Sequence, residues 1–381
     1  MKIILIIDVL SPHMIAICKA LAKKQSLTVH IQAQTEPHRK WNFQDFEDLN
    51  FKCKLLPGFH MHLGRKDTFP FHINYHVKRN IEQEAPDAVI IWGWSNPTSY
   101  FAARACRKLN IPLLPWSGAT KNDSSIFRKI GAPAVRWFHR RCSAFLADGT
   151  AARELLEDHW RIASDKIFVV GLSVDNSFFI SESKKAKSWK NYFHDSFKHE
   201  KTILYVGQLI ERKGILDLLK AFHIVRKKHP DAHLIIAGNG KLRNKIQKAA
   251  ENEQESHIHM LGYIPYNELP GLYSHSRIFC LPSRKEVWGL VINEAMACGT
   301  AVIASDVCGA SRDLLIPGET GLTFKKGDYA TLAGQINLLL ENKQLYRTIA
   351  AAGLKQINTW NISRLEEKIL EAVTYATETN Q

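Results

Sequence analysis

The chain of 381 residues has little cysteine: seven, at positions 18, 53, 106, 142, 280, 298 and 308, odd in number and scattered singly. No C-x-x-C pair occurs, which argues against a disulfide framework or a structural zinc site and points to a reducing compartment. No apolar run approaches the roughly 20 residues that a membrane helix needs. The opening Met1–Asp8 is too short and ends on an acid, so it reads as a buried first strand, not a signal peptide. The 17 histidines are dispersed, without H-E-x-x-H or similar ligand spacing, and no metal ligand is assigned. Both G-x-G-x-x-G and the P-loop pattern are missing, which weighs against a dinucleotide oxidoreductase and a P-loop ATPase. No internal repeat or low-complexity tract is apparent.

What is present is enough apolar material for real cores, at 45% hydrophobic and 10% aromatic residues. The length fits two or three domains of roughly 100–200 residues. The net charge is +14, and it is uneven. Residues 1–190 hold 28 Lys and Arg against 17 Asp and Glu, whereas 191–381 hold 23 against 20. Such an excess suggests an anionic partner for the first half: an anionic membrane surface, a phosphorylated lipid or nucleic acid. A basic surface that merely aids solubility is the competing reading. Nucleic acid is disfavoured, because the basic residues are dispersed and no recognition motif occurs. Phe127–Ile130 and Val135–Arg141 mix aromatics with cations, as interfacial segments do. An ordinary helix with Trp137 and Phe138 in the core satisfies the same pattern.

The first half alternates strand-like and helix-like stretches. Strands are expected at Ile3–Ile7, Leu27–Gln32, Ala88–Trp92, Leu113–Trp116 and Ala144–Ala147, with helices at Met14–Lys24 and Tyr100–Lys108. A polar stretch at 178–197 reads as a linker. The pattern then restarts with strands Thr202–Val206, His233–Ala237, His257–Leu261, Ile278–Leu281 and Ala301–Ser305. Helices Ile215–Lys228, Lys241–Asn252 and Val291–Ala297 are interleaved with them. This is the signature of parallel β-α-β units, whose ligands bind outside the carboxyl ends of the strands. A last helix is expected over about Ile362–Thr377.

Five strand ends in the second half carry glycine or charge. Gly207-Gln208 follows one strand and leads to Arg212-Lys213-Gly214, placing two cations beside a glycine turn where phosphate could approach. Gly238-Asn239-Gly240 closes the next strand. Leu261–Pro265 follows the third, with backbone at Ile264 able to read a base edge. Ser283–Gly299 places Glu286 just after a strand and Glu294 on the following helix, with Trp288, Gly289, Leu290 and Val291 at the turn. Backbone amides at that helix start suit an anion. Ser305–Ala310 is the fifth. For each alone a plain turn, or a solvated Glu on an amphipathic helix, is an equal alternative. Together they describe a nucleotide-sized cleft.

These segments resemble the successive motifs of family 4 retaining glycosyltransferases, the glycosyl transferases group 1. The resemblance covers residues 200–330 closely and rests most on Glu286–Gly299. Pro86–Ile90, Phe145–Gly149 and Ser173–Phe179 are similar to family segments more loosely. The resemblance implies an α/β chain of GT-B fold, with two Rossmann-like doubly wound parallel-sheet domains facing a central cleft. The acceptor-side domain would span 1–177, the linker 178–197 and the donor-binding domain 198–359, with the terminal helix, about 360–381, packing back on the first domain.

By the same resemblance, Lys213 contacts the donor diphosphate and Glu286 the sugar hydroxyls, these two forming the catalytic pair. Glu294 binds the ribose, Ile264 meets the base, and Gly207, Gln208, Arg212, Gly238, Trp288, Gly289, Leu290 and Val291 line the donor. On the acceptor side the matching positions are His13, Ser117 and Gly118. Three departures stand out. Gln208 replaces an Arg found in many members, leaving diphosphate neutralisation to Lys213 with help from Arg212. The loop Asp8–His13 lacks the glycines common there. Trp116-Ser117-Gly118 occupies the loop where family members carry a histidine.

The implied activity is transfer of a hexose-type sugar, with retention, from a nucleoside diphosphate sugar to a glycan or lipid-linked acceptor in cell-surface polysaccharide or glycolipid synthesis. Cofactor and metal are expected to be none. The expected place is the cytoplasm, as a peripheral protein on the inner face of the cytoplasmic membrane. A nucleotide-sugar 2-epimerase on the same fold and a non-catalytic nucleotide-sugar-binding protein are the alternatives.

Overall fold

The computed structural model describes residues 1–35, 48–63, 69–121, 126–185, 192–193, 199–252 and 257–380. The chain divides into two units, Met1–Leu172 with Ile362–Gln381, and Ser173–Asn361.

The first unit contains β1 (Lys2–Ile7), β2 (Ser26–Ile31), β3 (Lys52–Leu55), β4 (Gly58–Leu63), β5 (Phe69–Asn74), β6 (Ala88–Trp92), β7 (Leu113–Ser117), β8 (Phe145–Ala147) and β9 (Ile167–Val169). Seven of these form one sheet in the order β3-β2-β1-β6-β7-β8-β9, while β4 and β5 pair as an antiparallel ribbon. Every pairing in the larger sheet is parallel. Ile3–Ile7 is buried along its whole length, because helices cover both faces of the sheet. That explains why the strand reads as an unbroken apolar run and not as an alternating one. The helix Ile362–Thr379 belongs here: Glu366 pairs with Lys24 at 3.2 Å and Asn380 donates to the carbonyl of Asn110 at 3.1 Å.

The second unit contains β10 (Thr202–Val206), β11 (His233–Ala237), β12 (Ile258–Gly262), β13 (Ile278–Leu281), β14 (Ala301–Ser305) and β15 (Leu322–Phe324). They form a parallel sheet ordered β12-β11-β10-β13-β14-β15. The order runs outward in both directions from the β10/β13 pair. That pair is the topological switch point, where the connections depart to opposite faces and a crevice opens at the strand ends.

The stretch expected as a linker needs correction where it is described. Residues 178–185 lie within the helix Asn176–Lys185, inside the second unit. Its polar composition, Ser181–Lys185, hid an aromatic anchor. Phe179 is fully buried, Phe178 stacks on Tyr266 at 5.5 Å, and the Asn176 amide donates to the carbonyl of Ile357 at 2.7 Å. Residues 186–191 and 194–197 of the expected linker lie outside the described residues. The first unit ends at Leu172, five residues before the expected boundary.

Candidate functional site

The loops after β10 and β13 meet at the switch point of the second sheet. Gly214, in the left-handed region at φ 67°, begins the helix Ile215–Lys228. A Cβ at Gly214 would stand 1.8 Å from the carbonyl oxygen of Pro282, so only glycine permits this approach. The amides of Arg284 and Lys285 donate to the carbonyl of Arg212, at 2.8 and 3.2 Å. The Arg284 guanidinium grips the Asp217 carboxylate with two bonds of 2.7 Å. The two loops are thereby fastened by backbone and by a bidentate ion pair.

This fastening brings Lys213 onto Glu286. The ammonium donates to Glu286 Oε2, and both side chains are largely shielded from water, at 16% and 10% exposure. Ser283 Oγ donates to the same oxygen at 3.0 Å, while Ser305 Oγ donates to the Ser283 carbonyl at 2.6 Å. Glu286 Oε1 has no hydrogen-bond partner among the described residues.

Glu294 repeats the arrangement. It lies in the helix Leu290–Ala297, is 6% exposed, and accepts from the Tyr273 hydroxyl on Oε2 at 2.8 Å. Its Oε1 likewise has no partner among the described residues. Burial raises the carboxyl from 4.5 to about 7, opposed by the Tyr273 hydrogen bond. The helix opens at Gly289, held at φ 99°, so the amides of its first turn face out of its start and favour an anion.

The other expected donor residues divide. The Gly207 amide donates to the Ala237 carbonyl at 2.9 Å, and a Cβ on Gly238 would meet the Gly207 carbonyl at 1.9 Å. These two turns are in contact beside the switch point. The Gln208 carbonyl is engaged by the Tyr205 hydroxyl at 2.8 Å. Leu290 and Val291 are half-buried at the helix start, and the Ile264 side chain is buried, so any base contact there falls to its backbone. Trp288 requires correction as a donor-contacting side chain. It is 3% exposed, its indole N–H donates to Asn293 at 2.9 Å, and its ring stacks on Trp360 at 6.0 Å. It braces the loop from within the core.

In the first unit, His13 sits in the first turn of the helix Pro12–Lys24, its Nδ1 at 2.9 Å from Ser11 Oγ. Ser117 ends β7 and Gly118 follows it. These positions therefore lie at or just past the carboxyl ends of β1 and β7, which flank β6. Phe138 is buried in the core of this unit, whereas Trp137 is half-buried with Arg141 stacked over its ring at 3.7 Å. The side chains of Phe127–Ile130 lie outside the described residues. No helix among the described residues is long and apolar enough to cross a membrane.

Sequence reading missed Asp217, Arg284, Tyr273 and Asp148. Asp148 is buried, accepts from the Trp116 indole at 2.7 Å, and burial raises its carboxyl to about 7. An acid in a helix's first turn is a visible signal for Asp217. Nothing in the sequence ties Tyr273 to Glu294, which stands 21 residues away.

Two family models match. That for glycosyl transferases group 1 covers residues 189–356, and that for glycosyltransferase family 4 covers residues 11–178. The capsular polysaccharide biosynthesis glycosyltransferase CapM of Staphylococcus aureus is 27% identical over 55% of this chain and 55% of its own length. The phosphatidyl-myo-inositol mannosyltransferase of Mycobacterium leprae is 34% identical over 45% of each chain. The chain spans about half the length of such curated relatives. Among solved structures, Anabaena Alr3699/HepE in complex with UDP superposes with a TM-score of 0.78 at 18% identity, over 98% of this chain and 100% of that one. The same Anabaena protein has also been solved with UDP and glucose and with UDP-glucose. The fold is GT-B, and the chain belongs to the group 1, family 4 glycosyltransferases.

Proposed function

From the chain's place in this family, we propose that it transfers a hexose-type sugar from a nucleoside diphosphate sugar to a glycan or lipid-linked acceptor, with retention at the anomeric carbon. The observation that carries this reading is the matched pair of anchored acids. Glu286 and Glu294 each commit Oε2 to the protein and leave Oε1 without a protein partner among the described residues. Two fixed acceptors beside a cation and a helix start suit one ligand bearing two sets of hydroxyls and a diphosphate between them. In this reading Glu294 Oε1 accepts from the ribose and Glu286 Oε1 from the sugar. Lys213 and the amides from Gly289 to Val291 face the diphosphate.

As the bond from the sugar to the diphosphate breaks, negative charge grows on the leaving oxygens. A cation and oriented amides already in place stabilise that charge without reorganising. Glu286, tied to Lys213 and Ser283, is an orienting group and not a nucleophile. The positive charge comes from protein groups, and the reading needs no metal. CapM's name supports polysaccharide synthesis as the setting, and the UDP complexes of the Anabaena neighbour support a nucleotide-sugar donor. His13, Ser117 and Gly118 are the acceptor-side positions in this reading.

The test is a screen of common nucleotide sugars with the purified protein and membrane-derived acceptors, read by mass spectrometry. Release of nucleoside diphosphate with a matching gain of one hexose on an acceptor is the expected result. A new nucleotide sugar formed without acceptor would make the protein an epimerase. Thermal stabilisation by a donor with no turnover on any acceptor would make it a binding protein.

A further inference from the structure

The chain passes between the two units twice, at Leu172/Ser173 and at Asn361/Ile362. Within the second unit the two passages are tied to each other. Ser173 Oγ donates to the Trp360 carbonyl at 3.1 Å. The Asn176 amide donates to the same carbonyl at 3.2 Å and to that of Ile357 at 2.7 Å. Ser173 and Asn176 are buried, so the tie is shielded from water and strengthened by that shielding. Trp360 caps the helix Lys343–Thr359, and its ring stacks on Trp288, with centroids 6.0 Å apart and planes 20° from parallel. The same helix packs on Leu290–Ala297 so closely that a Cβ at Gly353 would stand 3.6 Å from the Met296 side chain.

Trp288 stands two residues after Glu286 and one before Gly289, in the short connection from β13 to the helix Leu290–Ala297. Backbone clamps one side of that connection: Glu286 bridges to Cys308, and the Ala310 amide donates to the Trp288 carbonyl at 3.0 Å. The indole supplies the other hold, donating to Asn293 at 2.9 Å and stacking on Trp360. Two large flat rings in contact fix tilt as well as distance, which an aliphatic neighbour does not. The segments that follow Ser173 brace the second acid as well. Phe179 lies edge-on to Tyr273 at 6.4 Å, and the Tyr273 hydroxyl holds Glu294. The Phe179 carbonyl accepts from Cys298 Sγ, just past the end of the Glu294 helix, at 3.8 Å.

We propose that Trp360 is a positioning residue for the donor site: through Trp288 it holds Glu286 and the amides of Gly289, Leu290 and Val291 in place, and it makes that placement depend on the tie between the two chain passages. What Glu286 and the amides do for transfer rests on the proposed function, whereas the mechanical link does not. Trp360 touches no donor in this scheme. It keeps the groups that do within the small tolerance that a preorganised site allows. The dependence is reciprocal, so a ligand that orders the Glu286 loop also steadies Ser173–Asn176 and Ile357–Asn361.

Amide hydrogen exchange of the full chain without ligand is the first test. Trp360→Leu speeds exchange at residues 287–292 about fivefold, the scale of one aromatic pair, and leaves β10 unchanged. Trp360→Phe keeps a ring and stays within about twofold of the native protein. Trp360→Met takes the place of Trp360→Leu if the latter does not fold. The second test is transfer, with any donor that the protein turns over. Trp360→Leu lowers kcat per folded molecule about tenfold, because slight misplacement of reacting groups is costly. The donor KM stays within about threefold, since base and ribose are held by other elements, and Trp360→Phe restores most of kcat. A change that only weakened the fold would lower the folded fraction and leave kcat per folded molecule as it was. Unchanged exchange at 287–292, a rise spread evenly over the second unit, an unchanged kcat, or Trp360→Phe behaving as Trp360→Leu overturns the proposal. A protein that turns over no nucleotide sugar overturns the proposed function instead, and the exchange result still decides the link.

Discussion

Replacing Glu294 by Gln separates what the ligand-free fold prefers from what a bound nucleotide needs. Burial holds the Glu294 carboxyl at about 7, against 4.5 when exposed. The folded value is the higher one, so the protonated form is favoured by folding. The cost of the ionised form is absent below about pH 4.5, grows as pH rises and is complete above about pH 7. At about 1.36 kcal/mol for each pH unit between the two values, it reaches about 3 kcal/mol. Gln keeps an acceptor for the Tyr273 hydroxyl but brings an NH2 in need of a partner, which offsets about 1 kcal/mol. Glu294→Gln therefore stabilises the unliganded protein by about 2 kcal/mol at pH 8, or about 4–8 °C in Tm for a unit of this size. Near pH 5 the gain disappears. The same change removes a charged acceptor from the proposed ribose contact and weakens nucleoside diphosphate binding about ten- to hundredfold. Thermal melts at pH 5 and pH 8 with calorimetric titration at pH 8 measure both effects. A lower Tm at pH 8, or the same shift at both pH values, would refute the burial argument. Undiminished affinity would refute the ribose assignment.

Lys213→Ala removes the side-chain cation held on Glu286 and is expected to lower kcat by about 10²-fold or more, the scale for losing a charge-stabilising donor; steady-state transfer assays measure it. Arg284→Ala strands the buried Asp217 carboxylate and destabilises the second unit by about 1–3 kcal/mol, less than for a fully buried pair because Arg284 is 54% exposed. Adding Asp217→Ala restores part of that loss in urea unfolding, whereas a purely additive double variant would show that the pair is not coupled. His233 on β11, His259 on β12 and His257 just before β12 cluster together, with His233 Nδ1 at 3.0 Å from His259 Nε2. Burial first, and then neighbouring charges, lower all three, His233 to about 4. Here the folded value is the lower one, so stability present above about pH 6.5 is lost as pH falls towards 4. His233→Gln is expected to flatten the fall of Tm between pH 7 and pH 5.

Much of this could be read from residues, and the misses have physical causes. Strands such as Ile3–Ile7 and Ile278–Leu281 are apolar throughout because both faces are covered, so their positions are plain in the sequence. The strand-end glycines carried the site, since Gly214 and Gly238 stand where a Cβ would strike a carbonyl of the next loop. The helix Asn176–Lys185 was hidden because its anchoring partners, Tyr266 and Ile357, are distant in sequence. Trp288 is ambiguous for the same reason: only its stack on Trp360 turns a loop aromatic into a core residue.

The Lys213–Glu286 pair makes an unliganded site self-neutralised, and this sets two ligands apart. If Lys213 takes the diphosphate as proposed, a nucleoside diphosphate alone would draw it from Glu286. It then leaves a largely shielded carboxylate with only the Ser283 hydroxyl for company. Uncovering a shielded charge in this way is costly. In the proposed reading a nucleotide sugar draws the same cation but brings hydroxyls to donate to Glu286, so it would meet less of that cost. The acid would then act as a gate that penalises incomplete donors. Glu286→Ala removes the competitor for Lys213, and it is expected to tighten nucleoside diphosphate binding by a few-fold while lowering transfer about 10²-fold or more. Opposite movement of the two readouts is the diagnostic. Titration calorimetry with the diphosphate and a transfer assay on the same preparation measure them. If Glu286→Ala weakens the diphosphate and the nucleotide sugar alike, the acid is a plain structural support and the gate does not exist.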